Sequence, residues 1–469
     1  MAVSVSETGG DRSANNRNQA RRARRRYGVA MDADRSLAFA LDAAAFIESM
    51  RTAGPEGSVW RRAVEGGDAI DRTVYHGSAG IVLFLLELSK ATGDRVHLER
   101  AADGGREIVG YVSKRTKLPI GPHTGWPGYA FVLEQLSRAT GDVSFRSVAR
   151  SCLDRAHAQS TVIGSGIGWI EPMPFSDITG FSGDREIFDQ SVGSAGAGLV
   201  FLDAHRSGLH PDARAWAIAA ADRLLEVAEH DAVGLRWRLM SDMPFPFTAP
   251  NFAHGGAGVG YFLADLFRET GDQRYLDAAI AGARYVQSRA TATGDDGVLV
   301  CHTEEPKKPF FYLGACHGPA GTGRLFHLLH DITGDAEWID WMHRLNRGLL
   351  STGAPERRSI GLWNNVGQCC GDAGIGDYAL QLERTTGEAM YHDLADRVAQ
   401  ELASRSVEGP NGGRCWPQAE HRMRADFIET QTGYMQGAAG IGSFFLHHAT
   451  SRQGRPVKIV LPDQPFAMT

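Results

Sequence analysis

The chain has 469 residues, 43% hydrophobic and 22% charged, with 56 glycines, 6 cysteines and a formal net charge of −6. That is the composition of a globular chain with a sizeable core, and it excludes low-complexity and collagen-like polymers. No apolar run reaches the roughly 20 residues that span a bilayer, and the N-terminus is basic without an apolar h-region, so a secretory signal is not expected. A cytoplasmic protein is therefore expected, in which cysteines serve as metal ligands or buried thiols rather than disulfides.

Residues 12–26, RSANNRNQARRARRR, hold seven arginines and no acid. Such a run cannot bury enough apolar surface to fold alone, so residues 1–30 read as a disordered basic arm. One domain is expected over 31–469. A solvated tail is the simpler reading of the arm. As a binding element it would suit the acidic leader part of a peptide, with neither nucleic acid nor membrane expected as partner.

A GxxG unit followed by an apolar, helix-periodic run recurs seven times. The copies are HGSAGIVLFLLEL (from His76), GWPGYAFVLEQL (Gly125), GSAGAGLVFLDAH (Gly193), HGGAGVGYFLADLF (His254), HGPAGTGRLFHLLH (His317), CGDAGIGDYALQL (Cys370) and QGAAGIGSFFLHH (Gln436). TGD or TGE follows at 92–94, 140–142, 270–272, 333–335 and 386–388. There, glycine suits a left-handed helix cap and the next acid favours a new helix start. A second, amphipathic helix follows, as in QRYLDAAIAGARYVQSRA.

The first helix of each unit is apolar nearly all round and the second only on one face, so one is buried and the other faces water. The pattern predicts an all-α fold, an α/α toroid of seven inner and seven outer helices. Glycine at the helix starts lets inner helices approach closely. An open superhelical solenoid is the competing arrangement, but it would expose its terminal inner helices, and neither is polar. The segments from Gly166 (GIGWIEPMPF), Gly234 (GLRWRLMSDMPFPF), Gly297 (GVLVCH) and Gly413 (GRCWPQ) predict β-hairpins or lids over one end of the ring, where loops carry function.

If the inner helices run parallel, the residues just before each GxxG meet at one mouth. Cys316 and Cys369 both stand two residues before the leading glycine of adjacent units, and Cys370 one before. Three convergent thiols with an open fourth position are the pattern of a catalytic zinc (Zn2+), and soft thiolates select it over magnesium or calcium. His317 is the alternative ligand. Cys152, Cys301 and Cys415 lack equivalents in the repeat and read as buried thiols. His254, one before its glycine, and Asp189, four before Gly193, form a workable acid–base pair at the same mouth. His76 has the same placement in the first unit and reads as helix-start packing.

With these residues assembled, the chain resembles the lanthionine synthetase C-like (LanC-like) family of thioether-forming cyclases, from about residue 70 to the terminal VKIVLPDQPF. The resemblance rests on the seven repeats, ACHGPAG, the CCG of the sixth repeat, AHGGAG and FDQSVGSAG. It implies an α/α toroid with zinc held by Cys316, Cys369 and Cys370, and acid–base roles for His254 and Asp189. The implied reaction adds a cysteine thiol to dehydroalanine or dehydrobutyrine in a ribosomal precursor peptide, as in lanthipeptide antibiotic biosynthesis.

Two departures are visible. Many members have a histidine where Cys370 stands, so this chain resembles the three-cysteine subgroup. The tryptophan and arginine that often precede the first zinc cysteine are replaced by Ala315 and Tyr312, with Lys307 and Lys308 upstream. No dehydratase or kinase-like segment is read, so a free-standing cyclase with a separate dehydratase or kinase/lyase partner is expected. A relative that adds glutathione or another thiol, and a non-catalytic zinc-containing peptide scaffold, are the competing functions. A glycosidase is disfavoured because the mouth offers thiols rather than an acid pair.

Overall fold

The computed structural model describes residues 31–172, 182–242, 249–302 and 310–466. The arginine-rich arm, Lys307, Lys308 and parts of the first two predicted hairpins lie outside the described residues. Fourteen helices form among them. They are α1 (Ala33–Ser49), α2 (Ser78–Thr92), α3 (Arg95–Ser113), α4 (Trp126–Thr140), α5 (Val143–Ala158), α6 (Ser194–Arg206) and α7 (Ala213–Glu226). Then come α8 (Gly256–Thr270), α9 (Gln273–Ser288), α10 (Pro319–Thr333), α11 (Ala336–Ser351), α12 (Asp372–Thr386), α13 (Ala389–Arg405) and α14 (Ala438–Arg452).

The seven helices that begin at GxxG form the inner ring, each packed on the next, with α14 packed back on α2. The ring is closed, which disposes of the open solenoid. Six outer helices follow their inner partners in sequence, but the seventh comes from the other end of the chain. Helix α1 packs on α14, with Phe39 stacked on Phe445 (centroids 4.9 Å apart) and Ser36 Oγ hydrogen-bonded to His448 Nδ1 at 2.9 Å. The first and last helices thus clasp each other.

The second glycine of GxxG explains the inner ring. A Cβ there would strike the carbonyl six residues earlier in its own entering loop, at all seven positions. At most of them it would also meet the preceding unit: Gly80 against Tyr434 Cβ at 2.6 Å, Gly258 against Gln190 Cβ at 2.8 Å, Gly321 against Phe252 Cβ at 2.9 Å. The motif therefore packs its own loop first and the neighbouring unit second.

The TGD corners work as their chemistry demands. In the first, Thr92 Oγ1 donates to the Leu88 carbonyl (2.7 Å) and accepts from Asp94 N–H (3.2 Å). Gly93 takes the left-handed conformation at φ 74°, and Asp94 caps α3 by accepting Val96 N–H at 2.9 Å.

Short two-stranded sheets sit in the connections, as predicted. Trp169, Trp237 and Trp416 each donate Nε1–H to a carbonyl near the end of the preceding outer helix, all at 2.8 Å. One sheet is parallel and links the loops entering the fifth and sixth inner helices, pairing Phe311–Tyr312 with Leu362–Trp363.

The C-terminal segment after α14 runs along the inner helices into the middle of the ring. Ile459 N–H donates to Glu87 (2.6 Å), Asp463 pairs with Arg324 (2.9 Å), and Phe466 packs against His327 and Tyr378. Beside it, His447 on α14 lies between Asp377 (2.7 Å) and Glu87 (3.0 Å). Burial opposes its charge, but the two carboxylates win and raise its pKa to about 9. A raised histidine pKa contributes stability that is complete below the unfolded value near 6.5 and is lost as pH rises through the folded one. The unfolding free energy from guanidinium titration should therefore fall between about pH 6.5 and 9, by up to ~3 kcal/mol at about 1.4 kcal/mol per pKa unit, and His447→Gln should flatten that window.

Candidate metal centre

One residue per unit, two before the leading glycine, builds a hydrogen-bonded belt around the mouth. Ser191 N–H donates to the Ala253 carbonyl (3.0 Å), Ala253 to Cys316 (2.7 Å) and Cys316 to Cys369 (2.9 Å). Cys369 then donates to Met435 (3.0 Å), Met435 to Tyr75 (2.9 Å) and Tyr75 to His123 (2.9 Å). The belt satisfies loop backbone that would otherwise be orphaned, and it locks neighbouring units in register. That register sets Cys316 beside Cys369.

The three sulfurs lie within 4.8 Å of one another, with Cys316–Cys370 at 3.2 Å and Cys370–Cys369 at 3.4 Å. Sulfurs on a tetrahedral zinc shell of radius 2.3 Å stand about 3.8 Å apart, so the donor set fits such an ion in type and spacing. Hydrogen bonds from Cys316 and Cys370, then Tyr75 and the nearby His254, hold the Cys369 thiol far below its usual range. Burial, and then Cys369 itself, push Cys316 up. A dication would collect all three as thiolates.

His254 and Asp189 also meet. Asp189, 1% exposed in its side chain, accepts from His254 Nδ1 at 2.7 Å and holds its own loop by accepting Val192 N–H at 2.7 Å. Burial works against the imidazolium, but the Asp189 charge and hydrogen bond, helped by Cys369, raise the His254 pKa above its ordinary value. The carboxylate thereby holds the ring by Nδ1, on a side chain still 20% exposed.

His317 is not in the sulfur group. Its ring joins a cluster with His254 (5.3 Å), His302 (4.3 Å) and Tyr312 (5.3 Å), and its Nδ1 is buried without a hydrogen-bond partner among the described residues. Burial holds its pKa far below the ordinary histidine value. Cys152 and Cys415 lie apart from the trio, their thiols pushed up by burial to about 12 and about 11, and burial raises Cys301 too. His76 is held by Glu420 at 2.9 Å. Its neighbour Tyr75, however, lines the same cavity as Cys369 and Cys316, so the first unit contributes to the site.

Several residues here escaped sequence reasoning. Trp363 lies against Tyr312, ring centroids 6.5 Å apart, from the parallel strand. Arg422 sits on the tip of the hairpin formed by Gln418–Ala419 and Ile428–Glu429, its guanidinium 4.2 Å from the Phe310 ring and close enough to Tyr312 to hydrogen-bond it. Where Ala315 and Tyr312 stand in place of a tryptophan and an arginine, those two side chain types reach the mouth from elsewhere in the chain.

A closed double ring of helices bearing three convergent thiols and a His–Asp pair at one mouth defines an α/α toroid with a candidate thiolate metal centre. The sequence profile described as "Lanthionine synthetase C-like protein" matches residues 68–461, and the chain belongs to that family. Among solved structures, "Nisin cyclase" superposes with a TM-score of 0.56 at 13% identity, covering 82% of this chain and 89% of that one. "Crystal structure of D-mannose isomerase" reaches 0.49 at 13% identity, covering 88% and 96%. These likenesses are of fold. No curated protein matches in sequence, and no described helix is long and apolar enough to cross a membrane.

Proposed function

We propose that this protein is a zinc-dependent lanthionine synthetase that closes thioether rings in a dehydrated precursor peptide. The observation that carries this reading is the meeting, at one mouth of the toroid, of three sulfurs from adjacent repeats and a buried-carboxylate-backed histidine from the next one. Cys316, Cys369 and Cys370 are the ligands. The ion they hold would keep an incoming cysteine as thiolate near neutral pH, where a free thiol of pKa near 8.5 is mostly protonated.

The rest of the chemistry falls to the chain. A carbon–sulfur bond forms at the β-carbon of the dehydro residue, and its double-bond electrons move toward the adjacent carbonyl. His254, kept protonated by Asp189, delivers a proton to the α-carbon. The thiol has lost one proton and the α-carbon has gained one, so the ring closes without leaving group or oxidant. Arg422 at the hairpin tip offsets charge developing on the carbonyl oxygen.

The test is a dehydrated peptide carrying one free cysteine, incubated with zinc-loaded protein, with loss of maleimide-reactive thiol as the readout. His254→Gln and Asp189→Asn should slow ring closure about 10²- to 10⁴-fold, the range of general acid catalysis, while zinc content stays the same. A protein active only when glutathione is supplied would instead be an intermolecular thiol-adding enzyme. Zinc removal that unfolds a protein inert in both assays would make the centre structural.

A further inference from the structure

A centre of three thiolates around a dication carries a net charge of −1, and an incoming thiolate makes it −2. In buried surroundings such charge must be met by donors, because uncompensated buried charge is costly. No Lys or Arg touches the sulfurs among the described interactions. The groups that do touch them come from the two units on the far side of the sixth, the seventh and the first.

The amide of Gln436 is fully buried, one residue before its glycine, in the same place that Cys370 holds in the neighbouring unit. Asn365 Nδ2 donates to its Oε1 at 2.9 Å. That fixes the amide orientation, so Nε2 is the end turned toward the Tyr75 hydroxyl (3.0 Å) and Cys370 Sγ (3.7 Å). Because the Tyr75 oxygen accepts from Gln436, its own proton is available to Cys369, which lines the same cavity beside it. Tyr75 is itself pinned in the belt through Met435 and His123. One polarised chain, Asn365 to Gln436 to Tyr75, thus ends on Cys370 and beside Cys369.

We infer that Tyr75 and Gln436 are positioning residues of the metal centre, two neutral donors that orient Cys369 and Cys370 and spread the excess charge of the three-thiolate set. Hydrogen bonds to ligating sulfurs lower their charge density and fix their lone pairs toward the ion, and such outer partners tune a centre as much as the ligands do. The inference rests on the reading of the trio as zinc ligands.

Tyr75→Phe deletes one oxygen and little volume. Zinc affinity, measured by competition with a chromophoric chelator, should fall about 10- to 100-fold. In cobalt-substituted protein the sulfur-to-metal charge-transfer band should move to lower energy, as donors are withdrawn from the thiolates. A packing role alone would leave that band in place. Gln436→Met, judged only if its circular dichroism matches wild type, should act in the same direction. Wild-type zinc affinity and an unmoved cobalt band in Tyr75→Phe would overturn the inference and leave the metal reading standing. A wild-type protein that takes up neither ion would overturn both.

Discussion

Replacing Cys370 with alanine should abolish metal uptake and ring closure together and leave the helical ring intact. Cys370 belongs to a small cluster with Ala253 and Cys316 at the mouth, apart from the main core, so losing its sulfur costs about 1–2 kcal/mol of stability at most. The effect on the metal is far larger. Structural zinc sites bind with roughly 10–16 kcal/mol, so one ligand of three accounts for about 3–5 kcal/mol, or ~10²- to 10⁴-fold in affinity. Elemental analysis after gel filtration should find about one zinc per wild-type chain and none in the variant, while the two proteins stripped of metal melt within a few degrees of each other. Cys152→Ala is the control: its thiol is buried in the main core, apart from the trio, so it should cost stability and no metal. Zinc retained by Cys370→Ala would mean that the sulfurs are packing and not ligands.

The comparison between residues and coordinates shows what kind of information a repeat carries. Helix starts, left-handed glycines and aspartate caps were legible because their physics is local: Thr92, Gly93 and Asp94 satisfy one another within three residues. Cys316 and Cys369 are far apart in sequence, yet their proximity was legible because equivalent places in adjacent units become neighbours. The same frame would have revealed Tyr75 and Gln436, which occupy the matching places in the first and seventh units. They went unread because tyrosine and glutamine announce no metal chemistry of their own. His317 occupies a ligand's place in the frame, but its ring turns toward His302 and Tyr312, a choice made by rotamer and packing that no spacing encodes. Three features had no periodic signal at all. Ring closure by α1 joins the two ends of the chain, Arg422 reaches the mouth on a hairpin tip, and the proline-containing tail enters the ring, where Leu461 and Phe466 join the core and Glu87, Asp377 and Arg324 meet its backbone and charges.

Two glycines on inner helices should respond oppositely to the same added methyl group. In Gly260→Ala the new Cβ finds its nearest neighbours, Ala279 O and Leu325 methyls, at 3.5 Å, ordinary contact distance. Alanine there removes unfolded-state freedom and improves helix propensity, so stability should rise or hold, by about 0–1 kcal/mol. In Gly321→Ala the Cβ is driven onto the Ala315 carbonyl and to 2.9 Å from Phe252 Cβ. The carbonyl cannot yield cheaply, since its loop is tied into the belt through Cys316 on both sides. Overpacking of this kind costs about 1–3 kcal/mol, which outweighs the propensity gain. The displaced group adjoins Cys316, so the damage should reach the sulfurs: zinc affinity should fall in Gly321→Ala and be untouched in Gly260→Ala. Denaturant midpoints and chelator competition on the two variants measure both quantities. Equal stability and equal zinc affinity in the pair would mean that the GxxG wedge does not set the register of the mouth.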